Sequence, residues 1–302
     1  MTQRWKSVMT GAAVAAAVTL PAIADNWING PTRNFPVKSV SVHDLVGNLT
    51  IAVRDGGAVS VQVSGAKRRV DETSVRQDDG TLSVEGGYSH AVWDWRHWFD
   101  FSDNTSSGSL SVKLMVPKGT NVNVDELIGD AKIGDTMAPI QFSAVSTNST
   151  IGRVGEAHIS LAGSGKVTVG DVAGDLHAES AGAGRIKTGS VRNVHADLAG
   201  SGGLEVGQVN GGIHLDIAGS GDFKASRVNG PVHADILGSG SVAIAGGEAN
   251  PLHLSIAGSG NFSFGGTAVD PHIDAVGSGN VHLHAYRGDL ANSGMASVKV
   301  GE

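Results

Sequence analysis

One phrase returns about every nineteen residues between Ala157 and Leu283: a histidine, often an aspartate two places on, then Gly-Ser-Gly. The histidines are His158, His177, His195, His214, His233, His253 and His272, at steps of 19, 18, 19, 19, 20 and 19. The tripeptide keeps the same time at Gly163, Gly200, Gly219, Gly238, Gly258 and Gly277, with Gly182-Ala183-Gly184 as a variant. A fixed period near twenty specifies a solenoid, because each repeat is one coil that can bury its apolar side only against its neighbours.

Within a coil the apolar residues alternate with polar ones, as in Ile213, Leu215 and Ile217 against His214, Asp216 and Ala218. Successive strand side chains point to opposite faces, so one set faces the core. Three inward columns follow. The first is Leu176, Val194, Ile213, Val232 and Leu252. The second runs through Ile159, Ala178, Ala196, Leu215, Ala234, Leu254 and Ile273. The third runs through Val167, Ile186, Leu204, Phe223, Val242, Phe262 and Val281. Matching positions in successive coils imply parallel pairing, and parallel crossovers are almost always right-handed. The expected fold is all-β, a right-handed parallel β-helix over residues 121–302. An antiparallel sandwich would not hold seven histidines in register.

Residues 1–24 read as a signal peptide. Arg4 and Lys6 precede an apolar run from Val8 to Leu20, and Ala22-Ile23-Ala24 supplies the small residues of a cleavage site before Asp25. The run is shorter than the roughly 20 residues of a spanning helix, so no transmembrane segment is expected after cleavage. Cleavage lowers Lys+Arg from 22 to 20 against 29 Asp+Glu, a net charge of −9. Such an acidic surface argues against nucleic acid, whose phosphates need a basic footprint. The chain contains no cysteine, which excludes a disulfide framework. The expected location is the periplasm or the cell surface.

Residues 25–120 read as a region of N-terminal β-strands that cap or lead into the solenoid. Val40 and Val42, then Leu49, Ile51 and Val53, then Val59, Val61 and Val63 alternate between Gly-rich turns, the pattern of short strands joined by tight turns. No helix of useful length is expected anywhere, since the periodicity is two throughout. One stretch breaks the pattern. Residues 88–101 hold Trp93, Trp95, Trp98 and Phe99, with His97 among them. Such a loop suits two roles: capping the core, or a ligand platform whose aromatic faces stack on sugar rings.

The phrase His195-Ala196-Asp197-Leu198-Ala199-Gly200-Ser201-Gly202 and its copies, with the strands from Phe35, resemble the bacterial exported family described as "putative auto-transporter adhesin, head GIN domain". The resemblance runs from about Phe35 to Leu283. It implies a β-helical fold, a cell-envelope location and no catalytic residues to carry over.

The functional reading is therefore a non-enzymatic exported protein that adheres to, or binds, an envelope polymer or protein. A glycan or an envelope protein is the expected partner, and no cofactor is implied. Trp93, Trp95, His97, Trp98 and Phe99 are the candidate ligand contacts. The alternative is binding of Zn²⁺ or Cu²⁺ by the outward columns, through His177, His195, Asp197, His214, Asp216, His233 and Asp235, since imidazole and carboxylate are ligand types for both ions. A third reading, polysaccharide lyase or hydrolase, rests on fold analogy alone. His-x-Asp offers a base and a partner but no nucleophile. A further outward column, Ala162, Ala181, Ala199, Ala218, Leu237, Ala257 and Val276, suits packing on a second protomer as a homo-oligomer, or on the chain's own N-terminal strands.

Overall fold

A computed structural model describes residues 27–87, 110–294 and 297–301. The expected parallel β-helix is the fold: 72% of the described residues are strand and 2% helix, wound into a solenoid of about 9 turns with about 19 residues between equivalent positions. The register is the one the columns require. His195 lies beside His214, Asp197 beside Asp216 and Gly200 beside Gly219, and the same offsets continue into the next coil.

Each coil has two long sides. Strands such as Val194–Gly200 and Ile213–Gly219 carry the histidines and stack into one side. The chain then turns at the glycines and enters strands such as Gly203–Val209, which stack into the other. All three inward columns are buried, with Phe223 and Leu215 fully so. The short third side adds a column not read from the sequence: Val154, Val172, Val191, Val209 and Val228, each at most 3% exposed. Asparagine and aspartate side chains tie this side together between coils. Asp135 accepts the backbone N–H of Arg153, Asp171 that of Ser190, and Asn193 that of Gly212.

The N-terminal strands do more than lead in. Strand Ser39–His43 pairs in parallel with Thr81–Glu85 on one edge and with Asn121–Ile128 on the other. Likewise Gly47–Arg54 lies between Leu110–Pro117 and Ala131–Ile133. Residues 39–54 thus form the second coil, although the flanking coil at the end comes later in sequence. The short strands expected on either side of Gly47 form but do not pair with each other. The turn there is a coil corner, and each strand pairs with a neighbouring coil. A turn specifies that the chain changes direction, but not which backbone will pair with it.

Antiparallel strands close this end. Val59–Ala66 pairs antiparallel with Leu110–Pro117 and is flanked by Trp27–Asn29 and Arg33–Phe35, while Ser74–Asp78 pairs antiparallel with Thr81–Glu85. Covering a sheet edge in this way blocks further pairing. Between these strands sits one helix, Lys67–Glu72, which the period-two reading did not anticipate. It is short and places a single apolar residue, Val70, against the core. One apolar residue in a turn and a half leaves no 3.6-residue pattern to detect.

The core contains misfits, Thr136 and Ser180, whose buried hydroxyls have no hydrogen-bond partner. The column Leu161, Ser180, Leu198, Ile217, Ile236, Ile256 is apolar except for Ser180, which is 2% exposed and whose Oγ has no hydrogen-bond partner. A buried unpaired hydroxyl costs about 1–3 kcal/mol. Ser180→Ala is therefore expected to raise stability by about 1 kcal/mol, read as a higher denaturation midpoint at unchanged slope. A lower midpoint would show that the hydroxyl is satisfied in solution.

Candidate functional site

The histidine side presents three outward columns because the strand repeat places residues i, i+2 and i+4 on one face. In each coil a histidine projects with an Asp, Glu or Ser and with an Ala, Leu or Val, and equivalent residues stack coil upon coil. The imidazoles of His195 and His214 lie with centroids 4.8 Å apart and planes at 9°, and those of His214 and His233 are 5.0 Å apart at 6°. His177 sits 5.7 Å from His158 and 5.6 Å from His195, in the second case tilted by 50°.

Within a coil the ring turns toward its own aspartate. Nε2 lies 3.8 Å from Oδ2 in the His195–Asp197 pair, 3.5 Å in His214–Asp216 and 3.2 Å in His233–Asp235. The last is a hydrogen bond, as is His272–Asp274 at 3.1 Å. In the coil of His177 the carboxylate is Glu179, which reaches across to His158 at 3.8 Å. All these side chains are about half exposed.

The arrangement makes pairs. Neighbouring ring centres lie between 4.8 and 6.1 Å apart, whereas two imidazole nitrogens bound to one Zn²⁺ at about 2.0–2.1 Å are at most about 4.2 Å apart. Among the described residues no three His, Cys, Asp or Glu side chains gather as a metal site. One hydroxyl does meet a His–Asp pair: Ser293 Oγ donates to Asp274 Oδ1, while Oδ2 of the same carboxylate faces His272 Nε2. The aromatic candidates Trp93, Trp95, His97, Trp98 and Phe99 lie outside the described residues, as does the 1–24 segment.

Beside the histidines runs a feature that the sequence did not reveal. A shallow groove of about 400 Å³ is lined by the histidine column from His177 to His253 and by the residues two places earlier, including Asp175, Asn193, Gly212, Pro231 and Pro251. A second depression of about 460 Å³ is lined by Ser39, Ser41, Thr81, Asn121, Asn123, Gln141, Glu156 and His158. The two adjoin. His158 pairs in register with His177, and Gln141 with His158, so the second depression ends on the rung before the first begins.

Going toward the N-terminal end, the histidine column continues as Gln141, Asn123, Ser41 and Ser83. Ser41 hydrogen-bonds His43 Nε2 at 2.7 Å and accepts from Asn123 at 3.1 Å. This continuation is invisible in the sequence because the first three coils are not in chain order.

Charged groups around the site are held in defined partnerships. Asp175, at the groove edge, accepts from Arg192 and Asn193, which hold its carboxyl below the ordinary aspartate range. On the opposite long side Lys187 does the same to Glu205. At an early corner the backbone N–H of Arg153, and then its guanidinium, lower Asp135. The Ala column is exposed, with Leu237 and Val276 the most open at 63% and 68%. Among the described residues no helix is long and apolar enough to cross a membrane.

Similar folds occur among solved structures. A putative adhesin from Parabacteroides distasonis ATCC 8503 is 11% identical, over 92% of this chain and 98% of that one, with a TM-score of 0.43. A putative lipid binding protein from the same organism is 18% identical over 92% and 97%, also at 0.43. A putative adhesin from Bacteroides fragilis NCTC 9343 is 15% identical over 92% and 98%, at 0.34. No curated protein matches the chain. The model of the family described as putative auto-transporter adhesin, head GIN domain, matches residues 42–247, and the chain belongs to that family.

Proposed function

We propose that this is a non-enzymatic, exported protein of the bacterial cell envelope that binds an extended envelope polymer or protein along its histidine side. The observation that carries the reading is the unbroken register of outward columns over seven coils. Such a face offers the same contact many times, which suits a repetitive partner and gains affinity by multiplicity. A catalytic centre, in contrast, needs a local convergence of unlike groups. The His–Asp pairs are alike from coil to coil, and each pair projects from one strand. Family membership supports the adhesion class.

The reading is preferred to Zn²⁺ or Cu²⁺ binding because, among the described residues, the outward groups meet as pairs and not as a set of three or more ligands. The aromatic residues Trp93, Trp95, His97, Trp98 and Phe99 are proposed from sequence as a second contact. The test is binding of labelled chain, without residues 1–24, to isolated envelope fragments. The triple variant His195→Ala, His214→Ala, His233→Ala is expected to weaken binding at least about tenfold, equivalent to about 1.4 kcal/mol. Trp93→Ala with Trp98→Ala measures the second contact. Unchanged binding in both variants would overturn the reading.

A further inference from the structure

We infer that the groove beside the histidine column is a binding cleft for a single neutral, linear polysaccharide strand laid parallel to the solenoid axis. The inference rests on the polymer-binding reading above and names the polymer class. Its first support is shape. The two depressions adjoin and together span ten successive rungs, from Thr81 to Pro251. Nine intervals at about 4.8 Å make a cleft about 43 Å long, far longer than a small-molecule pocket.

The second support is the repeat. A ligand that uses every rung must repeat at the rung spacing. An extended peptide advances about 3.3 Å per residue and drifts out of step within a few rungs. A pyranose unit in an extended chain spans close to one rung, so successive sugars meet equivalent groups.

The third support is chemistry. At the N-terminal half the rungs carry Ser41, Asn121, Asn123 and Gln141, uncharged groups that both donate and accept, which is what sugar hydroxyls require. Asn123 Oδ1 is buried there without a hydrogen-bond partner. In the histidine half, Nε2 is turned toward aspartate, and Nδ1 of His195, His214 and His233 makes no hydrogen bond among the described residues. One ring nitrogen per rung is thus left for a ligand. Pro231 and Pro251 are exposed and give flat apolar surfaces for the C–H face of a sugar ring. Charge excludes the rivals. Glu156 and Asp175 edge the cleft and the aspartate column flanks it, so a polyanion or a nucleic acid is repelled.

Titration calorimetry with neutral glucan, mannan and galactan oligosaccharides of two to ten units tests this, with polygalacturonate as the anionic control. Affinity for at least one neutral series is expected to climb with chain length and to level off near ten units, as the rungs fill. Gln141→Ala, at an exposed position, and Asn123→Ala are each expected to weaken binding about tenfold with an unchanged melting curve. Lys187→Ala, on the opposite side, is expected to have no effect. Absence of binding to every neutral series, affinity independent of length, or preference for polygalacturonate would overturn the inference. Envelope binding that persists without competition by neutral oligosaccharides would sink the cleft and leave the broader reading standing. Loss of envelope binding altogether would remove both.

Discussion

Gly219→Ala is expected to destabilise the chain by more than about 3 kcal/mol, the size associated with backbone strain and forced displacement in a packed interior. Gly219 turns the corner after the histidine strand at φ +125. A Cβ built there falls 2.6 Å from the carbonyl oxygen of Gly200 in the preceding coil and 3.2 Å from its nitrogen. Neither contact can relax by a side-chain rotation, because both partners are backbone. The only escape is to separate the two coils, which breaks the hydrogen bond from Ser220 N to Gly200 O at 2.8 Å.

At about 2–4 °C per kcal/mol for a chain of this size, the melting temperature should fall by roughly 6–12 °C. Gly246→Ala is the matched control. Its Cβ meets nothing within 4 Å, so its effect should stay within about 0.5 kcal/mol. Equal melting curves for the two variants would show that the corner tolerates a side chain and that glycine there is not a packing requirement.

Phe223→Ala is expected to cost about 3–5 kcal/mol, the range for deleting a fully buried aromatic ring. Phe223 is 0% exposed and stands between Leu204 and Val242 in the third inward column. The column alternates in size toward the C-terminal end, Phe223, Val242, Phe262, Val281. A large ring therefore fills space beside smaller neighbours, and its loss leaves a cavity that fixed strand spacing prevents from collapsing. Denaturant unfolding measures the loss. Phe223→Leu should recover most of it, since a swap that keeps most of the volume costs less than about 1.5 kcal/mol. If Phe223→Ala cost under 1 kcal/mol, the column would be more plastic than its packing implies. In a solenoid each coil touches only its neighbours, so either substitution also tests whether damage in one coil uncouples those on each side.

Much of this was legible in the residues. The three inward columns read from alternation are the ones buried, and His214 stacks on His195 and His233 as the period requires. The apolar ribbon through Leu237 and Val276 points outward as the alternation requires, but among the described residues the N-terminal strands do not cover it. Four things were not legible, each for a physical reason. Ser180 sits on the inward side of its strand, but its missing partner depends on neighbours in other coils. The Val172 column occupies a side too short to show alternation. The helix Lys67–Glu72 carries a single, partly buried apolar residue and so has no pattern. The cleft is built by Asn123, Ser41 and Gln141 together with the histidines, and these residues come from coils that are scrambled in sequence.

The sequence by itself determined the period, which side of each strand faces the core, and the identity of every outward column from His158 onward. These are properties of side-chain alternation, and alternation is written residue by residue. Tertiary structure alone decided that residues 39–54 lie between two later segments, that antiparallel strands close that end, and that the polar rungs of Ser41 and Asn123 extend the histidine column. Strand pairing is made by backbone N–H and C=O groups, which are the same at every residue. Which edge meets which is therefore settled only when all the coils compete for the same hydrogen bonds and the same core.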